Sequence, residues 1–304
     1  MVNNVGEVSA ALAAQRYLAD DGLATAIFLA LSLHRPLLLE GEAGVGKTEV
    51  ARVLADWTGA ELVRLPCYEG IDVSQAVYEW DYARQLLHLR TLEASHSAIV
   101  EDELYSERFL IARPLLRAIS STEAVPPVLL IDEIDRADDE FEAFLLEVLA
   151  DYSITVPELG TFRATNPPVV ILTSNRTRDV HDALKRRCLY HWIEHPDLVR
   201  ELAILRLRAP EVPEALARQV AAAVETLRSL ELYKPPGVAE TIDWARALAA
   251  LGREVLDPVT AASTLGSVVK YREDQERVLG HGLDRLVAAG EGSGALAVEG
   301  SSDG

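Results

Sequence analysis

The residues whose types and spacing are best suited to chemistry form the segment GEAGVGKT, Gly41 to Thr48. It fits the pattern GxxxxGK[ST] in full, follows the apolar run RPLLLE and opens the helical run TEVARVLADW. Gly41, Gly44 and Gly46 let the backbone wrap closely around phosphates, whose charge is met by loop N–H groups and by the helix N-terminus. Lys47 is placed to reach the β- and γ-phosphates of a nucleotide, and the Thr48 hydroxyl to complete a magnesium shell. Glu42, Ala43, Val45 and Glu49 fill out the set expected around the nucleotide.

The run VLLIDEID, Val128 to Asp135, ends an apolar strand in two adjacent carboxylates. Side chains alternate along a strand, so Asp132 and Glu133 point differently and take different jobs. Asp132 suits a magnesium contact, direct or through water, and Glu133 suits polarising the attacking water. A third run, VVILTSN, ends at Asn175, whose neutral amide can hold that water or sense the γ-phosphate without competing for the metal. Ser-Asn is also an ordinary turn, so this signal gains weight only beside the others. The helical run VHDALKRR finishes with Lys185, Arg186 and Arg187. Such residues complement a helix dipole; alternatively, one arginine is a finger completing a neighbouring subunit's site, an addition worth roughly a thousandfold or more in rate. The combination points to binding and hydrolysis of ATP with Mg2+.

These groups need a scaffold that brings strand ends together. Up to about Pro196 short β-rich apolar runs alternate with helical segments, the sequence form of a parallel sheet covered by helices. The candidate strands are Pro36 to Leu39, Glu61 to Leu65, Val128 to Ile131, Val169 to Thr173 and Leu189 to Ile193. Ligands of open α/β sheets sit beyond the carboxyl ends of the strands, where the polar residues above fall. After Pro196 helical periodicity takes over in Pro196 to Arg208, Pro213 to Leu230, Ala239 to Leu251 and Pro258 to Val278, a separate small helical domain. The predicted division is an extension over 1–14, a nucleotide-binding core over 15–196, a helical lid over 197–289 and a disordered tail over 290–304.

A chain of 304 residues exceeds the usual single-domain size, in keeping with one large and one smaller domain. With 29 basic and 48 acidic residues the net charge is −19, the wrong sign for a protein held on nucleic acid by neutralising phosphates. Cys67 and Cys188 form no CxxC pair, which argues against a disulfide framework or structural zinc and fits a reducing compartment. The N-terminal residues lack the basic start and apolar run of a signal peptide, so a cytoplasmic location is expected. The run Ala24 to Leu33 is too short to span a bilayer and reads as a buried helix.

The ordered set GEAGVGKT, LLIDEID, TSN and LKRRC, followed by an all-helical segment, resembles the AAA+ ATPases and within them the MoxR family, over roughly residues 15 to 285. CYEGIDVSQAVYEWDYARQLLHLR, ALKRRCLYHWIEHP and KPPGVAETIDWARAL look like the CoxD-type branch, linked to maturation of carbon monoxide dehydrogenase and similar molybdenum hydroxylases. The resemblance implies a five-stranded αβα core with a helical lid, and a ring, usually a hexamer, with ATP between subunits. It also implies an insert near Asp81 to Ser97 and a hairpin over Ile154 to Ala164, both facing the pore or a partner. The trans-acting arginine maps best to Arg187, with Arg186 adjacent. Family members generally work with a von Willebrand factor A domain protein, which implies a remodelling or chaperone role on a client metalloenzyme.

The sequence departs from the family at one place. Where members carry a lid arginine in a motif like GASPRA, this chain reads Gly237, Val238, Ala239, Glu240, Thr241, and Arg246 lies further along the helix. Two other readings compete. A DNA-directed motor or helicase loader shares the hairpin, but the acidity and the lack of a basic stripe oppose it. A GTPase would need NKxD where this chain has NRTRD, and a small-molecule kinase would not need a pair that favours attack by water.

Overall fold

The computed structural model of the protein describes residues 3–95 and 101–292. The chain opens with α1 (Val5–Ala14) and α2 (Asp21–Leu33), capped by the side chains of Asn4 and Asp20, which accept from the first-turn amides. β1 (Leu37–Gly41), α3 (Lys47–Thr58) and β2 (Leu62–Pro66) follow. Next come α4 (Val73–Ala76), β3 (Tyr78–Trp80), α5 (Tyr82–Ala94), α6 (Glu101–Leu104), β4 (Leu110–Ala112) and α7 (Pro114–Ile119). β5 (Val128–Asp132) leads into α8 (Asp139–Asp151), the strands β6 (Ser153–Val156) and β7 (Gly160–Arg163), then β8 (Val169–Ser174), α9 (Asp182–Arg187) and β9 (Leu189–Ile193).

Five of these strands form one sheet in the order β2-β5-β8-β1-β9, with the β2/β5, β5/β8 and β8/β1 pairs parallel. Every residue of β1 and of β5 is buried, as expected of central strands covered on both faces. Leu38, Leu129, Ile131 and Leu172 pack with Leu115 and Leu116 of α7 and Phe141 and Leu145 of α8. This is the α/β P-loop architecture with a five-stranded parallel core and a helical C-terminal region. β1 runs past the expected Leu39 because Glu40, though charged, keeps its ladder place opposite Ser174 and has its carboxylate satisfied there.

After β9 the elements of the described residues are all helices: α10 (Leu198–Arg208), α11 (Glu214–Arg228), α12 (Val238–Ala250), α13 (Pro258–Val268), α14 (Arg272–His281) and α15 (Leu283–Gly292). They enclose a second core around Leu216, Val220, Leu248, Leu265 and the fully buried Trp244, whose indole N–H donates to Thr264 Oγ1 at 2.8 Å. The single helical run expected over Pro258 to Val278 is two helices. Val269 turns extended, and Lys270 Nζ folds back onto the carbonyls of Gly266 and Ser267, closing the last turn of α13.

The chain divides into two compact units, but not at one point. The first contains the residues up to Gln15, Ala19–Gly41 and Lys47–Trp192; the second contains Arg16–Leu18, Glu42–Gly46 and the residues from Ile193 on. Two short pieces that the sequence reading assigned to the core thus pack with the helices. The first fourteen residues, read as an extension, carry α1, whose Val8 and Leu12 are fully buried in the first unit. Helix α2 is not buried throughout: it hides Leu23, Ala24, Ile27 and Ala30 and exposes Leu29 and Leu33.

The segment over Asp81 to Ser97 is helix α5, which buries Gln85 and exposes Tyr82, Leu86 and Leu87; its residues 96 and 97 lie outside the described residues. β6 and β7 pair antiparallel as the hairpin, with the Thr155 and Thr161 hydroxyls 2.9 Å apart. β3 and β4 form a second antiparallel pair that the sequence did not reveal, since three residues are too few to show a period of two. Of the predicted tail, residues 290–292 close α15 and 293–304 lie outside the described residues.

Candidate nucleotide-hydrolysis site

Asp132 ends β5 and is almost wholly buried, 3% exposed. A buried carboxylate must be hydrogen-bonded, and three neighbours meet this one. Thr48 Oγ1, in the first turn of α3, donates to Oδ1 at 2.9 Å, and Thr173 Oγ1 of β8 donates to the same oxygen at 2.7 Å. Arg64 of β2 covers Oδ2, with Nε at 3.1 Å and Nη2 at 2.5 Å. Parallel register makes this convergence unavoidable: β2 and β8 flank β5 in the sheet, and α3 starts beyond the end of β1.

Glu133, one residue on, turns out of the sheet. Its backbone is left-handed at φ 58, an uncommon conformation for a non-glycine residue and one favoured at functional turns. The turn is held by Glu133 N–H donating to Thr173 Oγ1 at 2.9 Å. Asn175 Nδ2 donates to Glu133 Oε1 at 3.0 Å, while Arg136 Nε lies 2.9 Å from Oε2. The two carboxylates therefore do face different partners, and the amide beyond β8 touches the second of them.

The loop carrying Asn175 is fixed from below by acids that the motif reading passed over. Asp135, buried in the turn after β5, accepts from Asn175 N–H at 3.2 Å, Thr177 N–H at 2.9 Å and Thr177 Oγ1 at 2.7 Å. Glu142 of α8, fully buried, pairs with Arg178 and accepts from His181 N–H at 2.7 Å at the start of α9. At the end of β1, buried Glu40 accepts from Ser174 Oγ at 3.2 Å and Tyr190 OH at 3.0 Å. Burial first, and the bond to Glu40 next, hold the Tyr190 phenol above its ordinary pKa, so it stays a donor.

Lys47 is buried at the head of α3, with Nζ donating to the Gly41 carbonyl at 2.8 Å. Within the loop, Gly44 and Gly46 have φ of +80 and +96, a region where a side chain is strained. A Cβ at Gly46 would come within 3.6 Å of the Tyr17 ring, placing an aromatic against the phosphate loop that the sequence reading did not single out. Glu42 Oε2 lies 3.0 Å from His195 Nε2. Ala43 and Val45 complete the loop, and Glu49 lies in the first turn of α3.

The two arginines ending α9 are both exposed but differ in engagement. Arg187 donates from Nη1 to the Leu146 carbonyl at 3.0 Å. Arg186 has no side-chain hydrogen bond or ion pair among the described residues. Arg35 donates to the carbonyls of both, at 3.0 and 2.9 Å, fixing the last turn of α9. Arg246 is committed elsewhere, to Glu211 Oε1 at 2.9 Å and the Arg208 carbonyl at 2.7 Å. Thr241, which aligns with the arginine of the GASPRA-like motif, is buried and donates from Oγ1 to the Gly237 carbonyl at 3.0 Å, while Glu240 accepts from Gly237 N–H at 3.1 Å and caps α12.

The oxygen donors suit magnesium. The ion prefers hard oxygen ligands and is bound by one or two carboxylates together with substrate phosphates rather than by an all-protein cage. Thr48 Oγ1 and Asp132 Oδ1 supply a hydroxyl and one carboxylate 2.9 Å apart. Among the described residues no group of three His, Cys, Asp or Glu could hold a metal. Neither cysteine competes for this chemistry. Burial pushes the Cys67 and Cys188 thiols up to about 12, with Asp132 the next cause at Cys67, so both stay protonated at neutral pH.

Residues 36–188 match the sequence profile described as AAA domain, dynein-related subfamily. No curated protein matches the chain. Among solved structures it is similar to the Thermotoga maritima RuvB Holliday junction branch migration motor, at 16% identity and a TM-score of 0.45 over 80% of this chain and 66% of that one. It is likewise similar to a point variant of Thermotoga maritima RuvB, at 16% identity and a TM-score of 0.47 over 90% of this chain and 73% of that one. The chain thus spans about two thirds of the length of the first of these.

Proposed function

Because the chain belongs to the dynein-related subfamily of AAA domains, a family of ATPases, we propose that it binds Mg2+–ATP on the loop Gly41 to Thr48 and hydrolyses it. One observation carries the reading. Thr48 and Asp132 pair at 2.9 Å while Asn175 holds Glu133 at 3.0 Å, so residues of three separate elements present metal-binding and water-binding oxygens side by side.

Loop N–H groups and Lys47 hold the β- and γ-phosphates, Lys47 exchanging the Gly41 carbonyl for phosphate oxygens. Thr48 and Asp132 are the residues that would hold a magnesium ion, whose chemistry there would be to neutralise charge on the phosphate oxygens. Glu133, oriented by Asn175, polarises the attacking water and takes its proton as the bond to the γ-phosphorus forms and the ADP oxygen leaves. Tyr17 lies against the loop as an aromatic surface for the nucleotide. Of the two arginines, Arg186 is the one whose guanidinium is uncommitted, which favours it over Arg187 as the residue reaching a neighbouring subunit.

At the finer level the reading is a MoxR-type remodelling ATPase of the CoxD-type branch. It assembles with itself as a ring, a hexamer by family habit, and acts in the cytoplasm with a von Willebrand factor A domain protein on a client metalloenzyme of the molybdenum hydroxylase type. The motifs quoted from the sequence support this level, and the charge of −19 weighs against a DNA-directed motor. Glu133→Gln is the test. It should retain ATP binding while turnover falls about a hundredfold or more, and affinity capture with the ATP-trapped protein should retain the partner and client. Unchanged turnover removes Glu133 from its role, and a salt-sensitive affinity for duplex DNA would reopen the motor reading.

A further inference from the structure

The middle of the phosphate loop, Glu42–Gly46, belongs by its packing with the helical residues of the second unit. The contact responsible is backbone against backbone. A Cβ at Gly237 would lie 2.6 Å from Gly44 Cα, 2.8 Å from Gly44 C and 2.9 Å from the Ala43 carbonyl oxygen, separations that no real side chain tolerates. From the other side, a Cβ at Gly44 would meet Gly237 Cα at 3.0 Å and Glu240 Oε2 at 2.9 Å. A hydrogen bond joins the two segments: Val238 N–H, at the start of α12, donates to the Gly44 carbonyl at 3.0 Å.

What presses on the loop is itself rigid. Residues 234–237 read Lys-Pro-Pro-Gly, and two prolines fix φ over half of that length. The preceding backbone is pinned by the buried carboxylate of Asp274, which accepts from Tyr233 N–H at 2.8 Å and Lys234 N–H at 3.0 Å. The far end is pinned by Arg228, whose Nε donates to the Pro236 carbonyl at 2.9 Å. Arg228 is locked in turn by Glu201, at 2.5 and 3.1 Å. Glu240 completes the frame by accepting from Gly237 N–H.

We infer that the strap 234–237 is a fixed rest for the phosphate loop, and that Gly237 is a positioning residue for nucleotide binding, holding the Gly44 carbonyl turned toward α12 so that the loop N–H groups stay gathered for phosphate. This rests on the reading of the loop as an ATP cradle. It also gives a reason for glycine at 237 that backbone conformation does not. With φ at −82 the position would accept any residue, so the demand for glycine comes from the loop opposite.

Gly237→Ala tests the inference cleanly because alanine brings no conformational strain of its own. Mg2+–ATP affinity and steady-state kinetics are compared among wild type, Gly237→Ala, Lys47→Ala and, as a neutral control, Gly280→Ala, where a Cβ meets nothing within 4 Å. The expected result is a KM and a Kd for ATP raised about tenfold or more in Gly237→Ala, since ångström displacements of positioning groups are worth up to about a hundredfold. Its kcat should stay within a few-fold and its nucleotide-free Tm close to wild type, whereas a merely structural glycine would lower Tm and leave KM alone. A folded Gly237→Ala protein with ATP affinity within twofold of wild type overturns the inference. Wild type that binds no ATP, or binds no better than Lys47→Ala, overturns the cradle and the inference with it. Should Gly237→Ala not fold, hydrogen exchange of wild type decides. The Val238 amide should be protected, and more so with Mg2+–ADP; exchange at an unbonded rate in both states overturns the inference.

Discussion

Two buried carboxylates of this chain, Asp132 in the sheet unit and Glu201 in the helical unit, show how differently the same charge can be housed. Glu201 is 1% exposed and gripped by both ends of the Arg228 guanidinium, itself only 12% exposed and tied to the carbonyls of Pro196 and Pro236. Every partner is enclosed and none can be exchanged. Asp132 is as deeply buried, yet its neighbours are two hydroxyls and an arginine whose side chain is 58% exposed. Those are partners that a cation can replace or join without leaving a charge stranded. The closed pair fixes structure, and the open one leaves room for chemistry.

Breaking the closed pair should have the largest effect on stability. Glu201→Ala leaves Arg228 buried without its counter-charge, a change that costs about 3–5 kcal/mol in comparable sites. Urea unfolding followed by tryptophan fluorescence, to which Trp244 contributes beside Trp57, Trp80 and Trp192, should show a midpoint well below that of wild type. Because Arg228 also holds the Pro236 carbonyl, ATP affinity should weaken in the fraction that remains folded. A midpoint equal to that of wild type would erase the contrast between the two acids.

The open site should respond in the opposite sense. Asp132→Asn preserves shape and can still accept from Thr48 and Thr173, but it removes the charge that faces magnesium. ATP hydrolysis should fall about a hundredfold or more, while stability should stay within about 1 kcal/mol of wild type because the partner left without its counter-charge, Arg64, has a side chain 58% exposed and remains solvated. A protein that lost stability and activity together would place Asp132 with the structural acids.

The same contrast explains how much of the site could be read from the sequence. Gly41 to Thr48, Asp132, Glu133 and Asn175 could be picked out as candidates because each lies where a strand ends and a loop begins, so a local pattern announces it. The five strands of the sheet were legible too, to within two residues at their ends, because central parallel strands are continuous apolar runs. What escaped were groups whose importance comes from distant partners. Arg64 sits between buried Val63 and Leu65 in β2, so alternation says that it faces away from them but not that it meets Asp132. Asp135 and Glu142 are further acids in an acidic chain until the fold brings the loop after β8 down onto them. Gly237 looked like the start of a helix lacking its expected arginine; its close approach to Gly44 exists only in three dimensions.

Arg64 gives the smallest effect and the sharpest comparison. Its guanidinium offers Asp132 Oδ2 two N–H groups, but from a side chain more than half in water, so Arg64→Ala should change stability by about 0.5 kcal/mol or less. It also sets a positive charge beside the oxygens that would hold magnesium, and like charges repel. Removing it should lower the magnesium concentration needed for half-maximal hydrolysis by a few-fold at low salt, with the difference shrinking as ionic strength rises and screens the pair. A magnesium requirement that instead rises in Arg64→Ala would mean that the arginine helps to hold the metal–nucleotide complex rather than shielding an acid that waits for it.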